Sequence, residues 1–151
     1  AKKRLEALRF DNDTIEAVEL LTTLHLRFHG YGEGEWTDSA VRRYVRDAGE
    51  FITHLHVLTR ADCTTRNKSK AARLAATYDS LEARIAVLME QEELSKIRPD
   101  LDGAQVMQIL NVKPSREVGQ AMDFLLELRL EQGPIGEEAA TKALLDWWAK
   151  K

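Results

Sequence analysis

The sequence lacks the elements that define several common protein classes. Cys63 is the one cysteine, which excludes an internal disulfide framework and fits a protein of the reducing cytoplasm. No run approaches the roughly 20 apolar residues that a membrane helix needs, so we expect no membrane partner. The Gly-Lys-Ser/Thr loop of nucleotide triphosphatases is missing as well. These features predict a cytoplasmic chain without a phosphate-binding loop of that kind.

Charge is distributed unevenly along the chain. The 151 residues carry a formal net charge of −3 and are 44% hydrophobic, as in ordinary globular proteins. Residues 1–75 hold 13 Lys and Arg against 11 Asp and Glu, a net +2. Residues 76–151 hold 9 against 14, a net −5. A polyanionic partner should therefore meet the N-terminal half.

Apolar residues recur at helical spacing throughout, and no segment has the alternation of a strand. We predict an all-α fold, a multi-helix bundle with a smaller C-terminal helical subdomain and no sheet. Arg98-Pro99 ends a helix, and Pro99–Gly103 is the predicted boundary between a helical body, residues 1–98, and a helical tail, residues 99–151.

Capping residues, glycines and prolines predict where the helices begin and end. Asp13 and Glu16 have capping-box spacing, Thr37 is a predicted N-cap, and Gly49 a predicted stop. The predicted helices are one from Asp13 to the loop Gly30–Gly34, then Asp38–Ala48, Glu50–Cys63, Asn67–Ile97, Ala104–Leu110, Ser115–Glu131 and Glu137–Lys150. The apolar seam of the long helix is predicted to consist of Leu74, Tyr78, Leu81, Ile85 and Leu88.

The segment Thr59–Leu74, TRADCTTRNKSKAARL, is a basic island in an acidic chain. It holds five cations and one acid, a net +4. Three of the cations are spaced by four and three residues, which predicts one stripe on a helix beside the apolar seam. Such a stripe is typical of phosphate-binding surfaces, although a solvated helix face has the same pattern. The candidate phosphate ligands here are Arg66, Lys68, Lys70 and Arg73.

A second RNA-like feature lies upstream. The rings of Phe28, Tyr31 and Trp36 surround a glycine-rich loop, and arginines follow on the next predicted helix. Rings that stack on bases beside arginines that hold phosphates are typical of proteins that bind RNA ends and single strands. The alternative is that the rings belong to the core. The arginines concerned are Arg42, Arg43 and Arg46.

Acidic and histidine clusters provide weaker candidates for chemistry. The pairs Asp11/Asp13 and Asp100/Asp102 precede helices, so we interpret them as caps and not as two-metal sites. His25 and His29 are four residues apart, and Asp62 follows an apolar face, so these three are candidate metal ligands. The chain has no adjacent His-Asp dipeptide, and hydrogen-bonded interior groups are the alternative. Cys63 is predicted to be a small buried thiol.

The sequence resembles a known family over essentially its whole length. The segments are LHLRFHGYGEGEWTDSAVRRYVRDAG, LTRADCTTRN and IRPDLDGAQVMQILNVKPSREVGQAMDFLLELRLEQGPI. They are similar to the C-terminal half of bacterial CCA-adding tRNA nucleotidyltransferases and the related poly(A) polymerases, of the actinobacterial type. One departure is Pro114-Ser115-Arg116, where the family often has Pro-Gly-Pro.

The resemblance implies that this chain holds tRNA while an N-terminal catalytic head of the same protein transfers nucleotides. The head would use Mg²⁺ with CTP and ATP, whereas no cofactor is implied for this chain. The positions of His25, with His29 as an alternative, and Asp62 match late elements of a His-Asp type region in that family. AKKRLEAL also has the pattern of the end of a helix, as expected of part of a longer protein.

From the residues and the resemblance together we expect an RNA-binding, tRNA-positioning chain. The first alternative is part of a His-Asp type metal-dependent phosphohydrolase. The second is a helical protein-interaction domain that uses the Leu74–Leu88 seam or Trp147-Trp148. The predicted RNA ligands are Arg42, Arg43, Arg46, Arg66, Lys68, Lys70 and Arg73.

Overall fold

The computed structural model of the chain describes residues 1–32, 36–62, 64–92 and 97–151, with the backbone alone at His29. In these ranges the chain forms α-helices and short 3-10 segments without a strand, which confirms the all-α prediction. The α-helices are α1 (Lys2–Ala7), α2 (Asn12–Leu24), α3 (Asp38–Ala48), α4 (Ile52–Asp62), α5 (Lys68–Glu92), α6 (Gly103–Leu110), α7 (Arg116–Gln132) and α8 (Glu137–Trp148). The 3-10 segments are His25–Gly32 and Gly49–Phe51.

The chain divides into two compact units, Ala1–Met89 and Glu90–Lys151. The division predicted from sequence, between residues 98 and 99, lies farther along the chain. Assignment of residues 1–98 and 99–151 as separate domains stays a prediction.

The start of α2 differs from the prediction. The N-cap is Asp11 and not Asp13, since the Asp11 carboxylate accepts from the backbone N–H of Thr14 at 2.8 Å and from its hydroxyl at 2.7 Å. These bonds, led by the one from the backbone, lower the pKa of Asp11 below its ordinary value. Asp13 lies in the first turn, where a carboxylate is favoured by the helix dipole.

The end of α2 also corrects the prediction. The helix stops at Leu24, and His25–Gly32 continues as a tighter 3-10 segment in place of the predicted continuous face and open loop. The change in period means that the apolar stripe is only partly buried. Gly34, the last glycine of that predicted loop, lies outside the described residues. Along the stripe Phe28 is buried, whereas Val18, Leu21 and His25 are half-buried.

The boundaries of α3 are confirmed. The Thr37 hydroxyl accepts from the Ala40 backbone N–H at 3.2 Å, and Gly49 takes a φ of +51°, a left-handed conformation that glycine adopts freely. The next helix was predicted to span Glu50–Cys63 but begins at Ile52, after the 3-10 turn.

Helix α5 contributes one apolar face to the core of the first unit. Four of its seam residues are buried, and Leu74 is half-buried. The Phe28 and Tyr78 rings stack with centroids 3.7 Å apart, and the Tyr78 hydroxyl donates to the Thr59 carbonyl at 2.9 Å. Burying one aliphatic side chain contributes about 1.5–3 kcal/mol, so the seam is the main stabilising surface of this helix. The buried seam residues are Tyr78, Leu81, Ile85 and Leu88.

The second unit has a separate core with strong local signals at its helix ends. Asp102 caps α6 and forms a capping box with Gln105, in agreement with the predicted capping role. Both oxygens of the Asp100 carboxylate are involved in tertiary contacts. Oδ2 accepts from the backbone N–H groups of Ile135 and Gly136 at 2.9 and 3.1 Å, and Oδ1 lies 3.9 Å from Arg129 Nε. The buried core residues are Leu101, Val106, Ala121, Leu125, Ala140 and Leu144.

The last helices differ from prediction only at their ends. The structure places them at Gly103–Leu110, Arg116–Gln132 and Glu137–Trp148. The ring of Trp147 stacks on that of Phe124 with centroids 5.1 Å apart.

Candidate nucleic-acid interface

Four predicted phosphate ligands lie in the first turns of α5 or just before it, and we call Arg66, Lys68, Lys70 and Arg73 the basic segment. All four are exposed. Residues 63–78 contain no Asp or Glu, so no acid lies near these cations in sequence except Asp62. The predicted three-residue stripe is wrong at its first member, because α5 begins at Lys68 and Arg66 lies in a bend before it. Lys70 and Arg73 share one helical face, and Arg66 precedes them on the connecting segment.

An asparagine cap fixes the beginning of this helix. The side-chain oxygen of Asn67 accepts from the Lys70 backbone N–H at 3.0 Å, and the Asn67 N–H donates to the Thr65 hydroxyl at 3.2 Å. The first turn of α5 contains no acidic residue. Its lysines therefore lie at the positive end of the helix dipole, an arrangement that costs about 0.3–1 kcal/mol per charge. The positive potential of the helix end adds to that of the side chains.

Other arginines of the first unit are held by carboxylates. Arg27 lies 2.6 Å from Asp47, Arg60 donates to Asp79 and Glu82 at 2.7 and 3.0 Å, and Arg84 donates to Asp38 at 2.6 Å. Hydrogen bonds to Glu82 and then Asp79 raise the pKa of Arg60, and the bond to Asp38 raises that of Arg84. Burial alone would raise the pKa of Asp47, but hydrogen bonds from Arg27 and Arg46 lower it below its ordinary value.

The basic segment differs from these arginines in its pairing. Within the described part of the chain, none of its four side chains forms an ion pair or a side-chain hydrogen bond. Their charges are therefore compensated by solvent and mobile ions. A polyanion that displaced those ions would gain entropy from their release.

The predicted arginines of α3 lie in different surroundings. Arg42 is buried with 6% of its surface exposed, Arg43 is half-buried, and Arg46 is exposed and donates to Asp47 at 2.9 Å. All three make further contacts within the protein. Their role in RNA binding stays a prediction, and the proposal below does not depend on it.

The predicted stacking platform is used largely inside the protein. Phe28 is 1% exposed, so its ring belongs to the core. Tyr31 and Trp36 meet edge to face with centroids 5.4 Å apart, and Trp36 meets Tyr44 in the same way at 5.3 Å. Tyr31 and Trp36 are half-buried. An interface that relies on free aromatic faces is therefore not favoured here.

Of the three predicted metal ligands, the structure describes the side chains of His25 and Asp62. His25 is half-buried, with Nδ1 2.7 Å from the Thr22 carbonyl oxygen. The interpretation of Asp62 as a carboxylate on an apolar face is wrong, because it is exposed at the last residue of α4. The side chain of His29, like the whole of Cys63, lies outside the described residues. Among those described, no group of three or more His, Cys, Asp or Glu could hold a metal ion.

The buried polar residue on that face of α4 is a threonine. The Thr59 hydroxyl donates to the Leu55 carbonyl at 2.7 Å, so its burial needs no distant partner. Burying a hydroxyl that is already hydrogen-bonded costs less free energy than burying a carboxylate. This difference explains why Thr59 lies on the inner face while Asp62 is exposed to solvent.

Sequence reasoning missed His56. The ring is nearly parallel to that of Tyr44 with centroids 6.2 Å apart, and Nδ1 lies 3.7 Å from a Glu82 oxygen. Burial lowers the pKa of His56 although Glu82 acts in the opposite direction. Burial and Glu82 raise the pKa of Tyr44 to about 12. The spacing of His56 from Leu55 and Thr59 gave no sign of these contacts.

Sequence reasoning also passed over the cations of α1 and the residues after it. Lys2, Lys3, Arg4 and Arg9 are exposed, as is Glu6. Residues 1–10 hold four cations and one acid, a local excess that could have identified this region.

Comparisons with known proteins identify no relative. No family model, no curated protein and no solved structure matches the chain. Among the described helices, none combines the length and apolar character required to cross a membrane.

Proposed function

We propose that this chain binds RNA through the basic segment at the beginning of α5. One observation carries the proposal: four exposed cations lack ion pairs within the described residues, whereas Arg27, Arg60 and Arg84 in the same unit are each held by a carboxylate. Exposed cations without carboxylate partners create the positive potential that attracts a nucleic-acid backbone.

The contacts are expected to be with phosphates more than with bases. Lysine and arginine side chains position the backbone, whereas sequence reading needs groups that reach base edges or stack on bases. The nearby rings of Phe28, Tyr31 and Trp36 pack on one another or on core residues. A folded RNA, with closely spaced phosphates, is the partner that fits this surface.

The more specific proposal follows from the family resemblance. The chain would be the tRNA-binding C-terminal part of a cytoplasmic tRNA nucleotidyltransferase, with the catalytic head in the same protein. It would hold the folded tRNA so that the 3′ end reaches the head, where Mg²⁺, CTP and ATP act. The transfer reaction itself belongs to that head in this proposal.

The alternative functions gain no supporting observation. The Leu74–Leu88 seam is largely buried, so it offers no free docking face for another protein. Asp62 and His25 are not gathered with a third metal-binding side chain among the described residues. RNA binding is the function that the described surface supports best.

Titration of a tRNA transcript at several salt concentrations tests the proposal. The variant Arg66→Gln, Lys70→Gln, Arg73→Gln removes three charges from exposed positions. We expect binding at 50 mM salt to weaken by about 100-fold, and the log–log salt slope to become shallower by about 2–3.

A matched control keeps the change in net charge constant. The variant Lys113→Gln, Lys142→Gln, Lys150→Gln also removes three exposed cations that lack ion pairs within the described residues. It should bind the transcript as the wild type does. Equal loss in both variants, or no loss in the first, would refute the assignment of the basic segment.

A further inference from the structure

A groove between α1 and α2 presents a second set of cationic side chains. Lys2, Lys3 and Arg4 line it from α1, and Thr22 and Thr23 line it from the end of α2. Its volume is about 440 Å³. Lysine, arginine and threonine side chains are among the usual donors to phosphate oxygens.

The charge of the groove is positive. Glu19 is the one acid among the described residues that line it, against three cations, so the formal balance is +2. Glu19 pairs loosely with Lys2, at 3.8 Å, and the two side chains are 49% and 57% exposed. An exposed pair of this length contributes little to stability and can exchange partners readily. Lys3 and Arg4 form no ion pair within the described chain.

The core does not account for these side chains. No residue of α1 is buried, so packing does not determine which residues its surface presents. Thr23 is anchored to its own helix, since its hydroxyl donates to the Glu19 carbonyl at 2.8 Å. The α2 side of the groove thus presents threonines, one of which is hydrogen-bonded to its own helix, and the α1 side presents cations.

Arg9 adds a fourth cation just beyond α1, at a position that favours another residue type. Its φ is +59°, the left-handed region that closes many helices and that glycine adopts without strain. The arginine side chain is exposed. A glycine here would lower the conformational cost and lose the charge.

We propose that the α1–α2 groove binds backbone phosphates of the same RNA that the basic segment holds. The inference rests on the RNA-binding function proposed above and adds a second contact region to it. The groove lining contains no aromatic ring among its described residues, so the contact is with phosphates and not with stacked bases. The RNA footprint then includes α1 as well as the beginning of α5.

The test compares two neutral double variants of the full chain. Lys3→Gln, Arg4→Gln changes the groove, and Lys142→Gln, Lys150→Gln removes the same charge from exposed positions of the second unit. For the groove variant, we expect binding of a tRNA transcript at 50 mM salt to weaken by about tenfold and the salt slope to become shallower by about 1.5. The control variant should keep the wild-type affinity and slope.

The outcomes separate this inference from the function on which it rests. Wild-type binding by the groove variant, together with loss in the basic-segment variant, overturns the groove and leaves RNA binding in place. Wild-type binding by the basic-segment variant overturns the proposed function. Binding of the wild type, but not the groove variant, to phosphatidylglycerol vesicles with unchanged tRNA affinity assigns the groove to a lipid surface and overturns the inference.

Arg9→Gly provides a readout that a purely structural role would not produce. The midpoint of thermal unfolding should rise by a few degrees because glycine accepts this conformation, while tRNA affinity should fall. Arg9→Ala should leave the midpoint near that of the wild type, since alanine keeps the strain, and should lower tRNA affinity, since it lacks the charge. Unchanged tRNA affinity in both variants would exclude Arg9 from the footprint.

Discussion

Helix α5 carries cationic residues in both of its halves, but among the residues that the structure describes they are unpaired near its beginning and ion-paired farther along. At its beginning Lys70 and Arg73 are exposed and, within the described residues, form no ion pair. Farther along, Leu81 and Ile85 are buried, and Arg84 is tied to Asp38. A cation can therefore serve folding or remain available for a partner on one helix. Which of the two roles a cation has depends on whether a carboxylate from another helix lies within ion-pair distance, as Asp38 does for Arg84.

The largest expected effect separates the two ends by stability. Leu81→Ala removes a side chain that is 1% exposed and should destabilise the first unit by about 2–5 kcal/mol, through lost burial and the cavity left behind. Arg73→Ala, eight positions earlier on the same helix, should change stability by about 0.5 kcal/mol or less. Urea unfolding measures both. A large cost for Arg73→Ala would show that the basic segment is structural after all.

Arg84 allows a paired cation to be compared with the cations of the basic segment, which are unpaired among the described residues. Its guanidinium donates to the Asp38 carboxylate at 2.6 Å and also to the Trp36 carbonyl. Arg84→Gln should therefore cost about 1–2 kcal/mol in unfolding free energy. Its affinity for a tRNA transcript should stay within about twofold of the wild type, because this charge is already compensated. If the variant folded fully but bound tRNA more weakly, Arg84 would belong to the RNA-binding surface, and the distinction between paired and unpaired cations would not hold.

Replacing Lys68 by glutamate should raise the stability of the chain and weaken its binding of tRNA. A carboxylate in the first turn of α5 is favoured by the dipole, so Lys68→Glu should stabilise the helix by about 0.3–1 kcal/mol. The same change should weaken tRNA binding, and both effects should shrink as salt is raised. Thermal unfolding and a binding titration on one sample measure the pair. Loss of stability together with unchanged binding would contradict the assignment of this end to a polyanion.

A smaller effect is the pH dependence of stability that arises from His56, a half-buried residue of α4. Burial lowers the pKa of His56 below its ordinary 6.5, so the unfolded chain takes up a proton before the folded chain does. Stability should therefore fall as pH decreases through 6.5 and stop falling, for this group, below the folded pKa. His56→Gln should remove that dependence, whereas His54→Gln, at an exposed position, should retain it. Urea unfolding between pH 8 and 5 measures the difference.

Local signals predicted much of the fold. Thr37 and Gly49 delimited α3 correctly because a cap and a left-handed stop act through neighbouring atoms. The periodic seam predicted which face of α5 is buried. Two candidate caps, Asp11 and Asp13, could not be separated in the same way, since either carboxylate could reach an amide three residues ahead. The actual cap depends on where the chain turns after α1.

Tertiary packing decided what sequence could not. Arg42 and Arg66 look alike as cations, yet one is buried on α3 and the other is exposed before α5. Helical spacing suggested that Asp62 continued an apolar face, but α4 ends there, and Thr59 is the polar residue that the face buries. The sequence therefore located the cations but did not show which of them are exposed. Which arginines find carboxylates depends on residues distant in sequence, such as Arg84 and Asp38.

The Asp100 carboxylate gives the second unit a built-in reporter of its own opening. It accepts from the amides of Ile135 and Gly136, which lie 35 and 36 residues farther along the chain. Deuterium can replace those two amide protons only when the contact at Asp100 is released. Their exchange rates would therefore time the separation of the first residues of this unit from the start of α8.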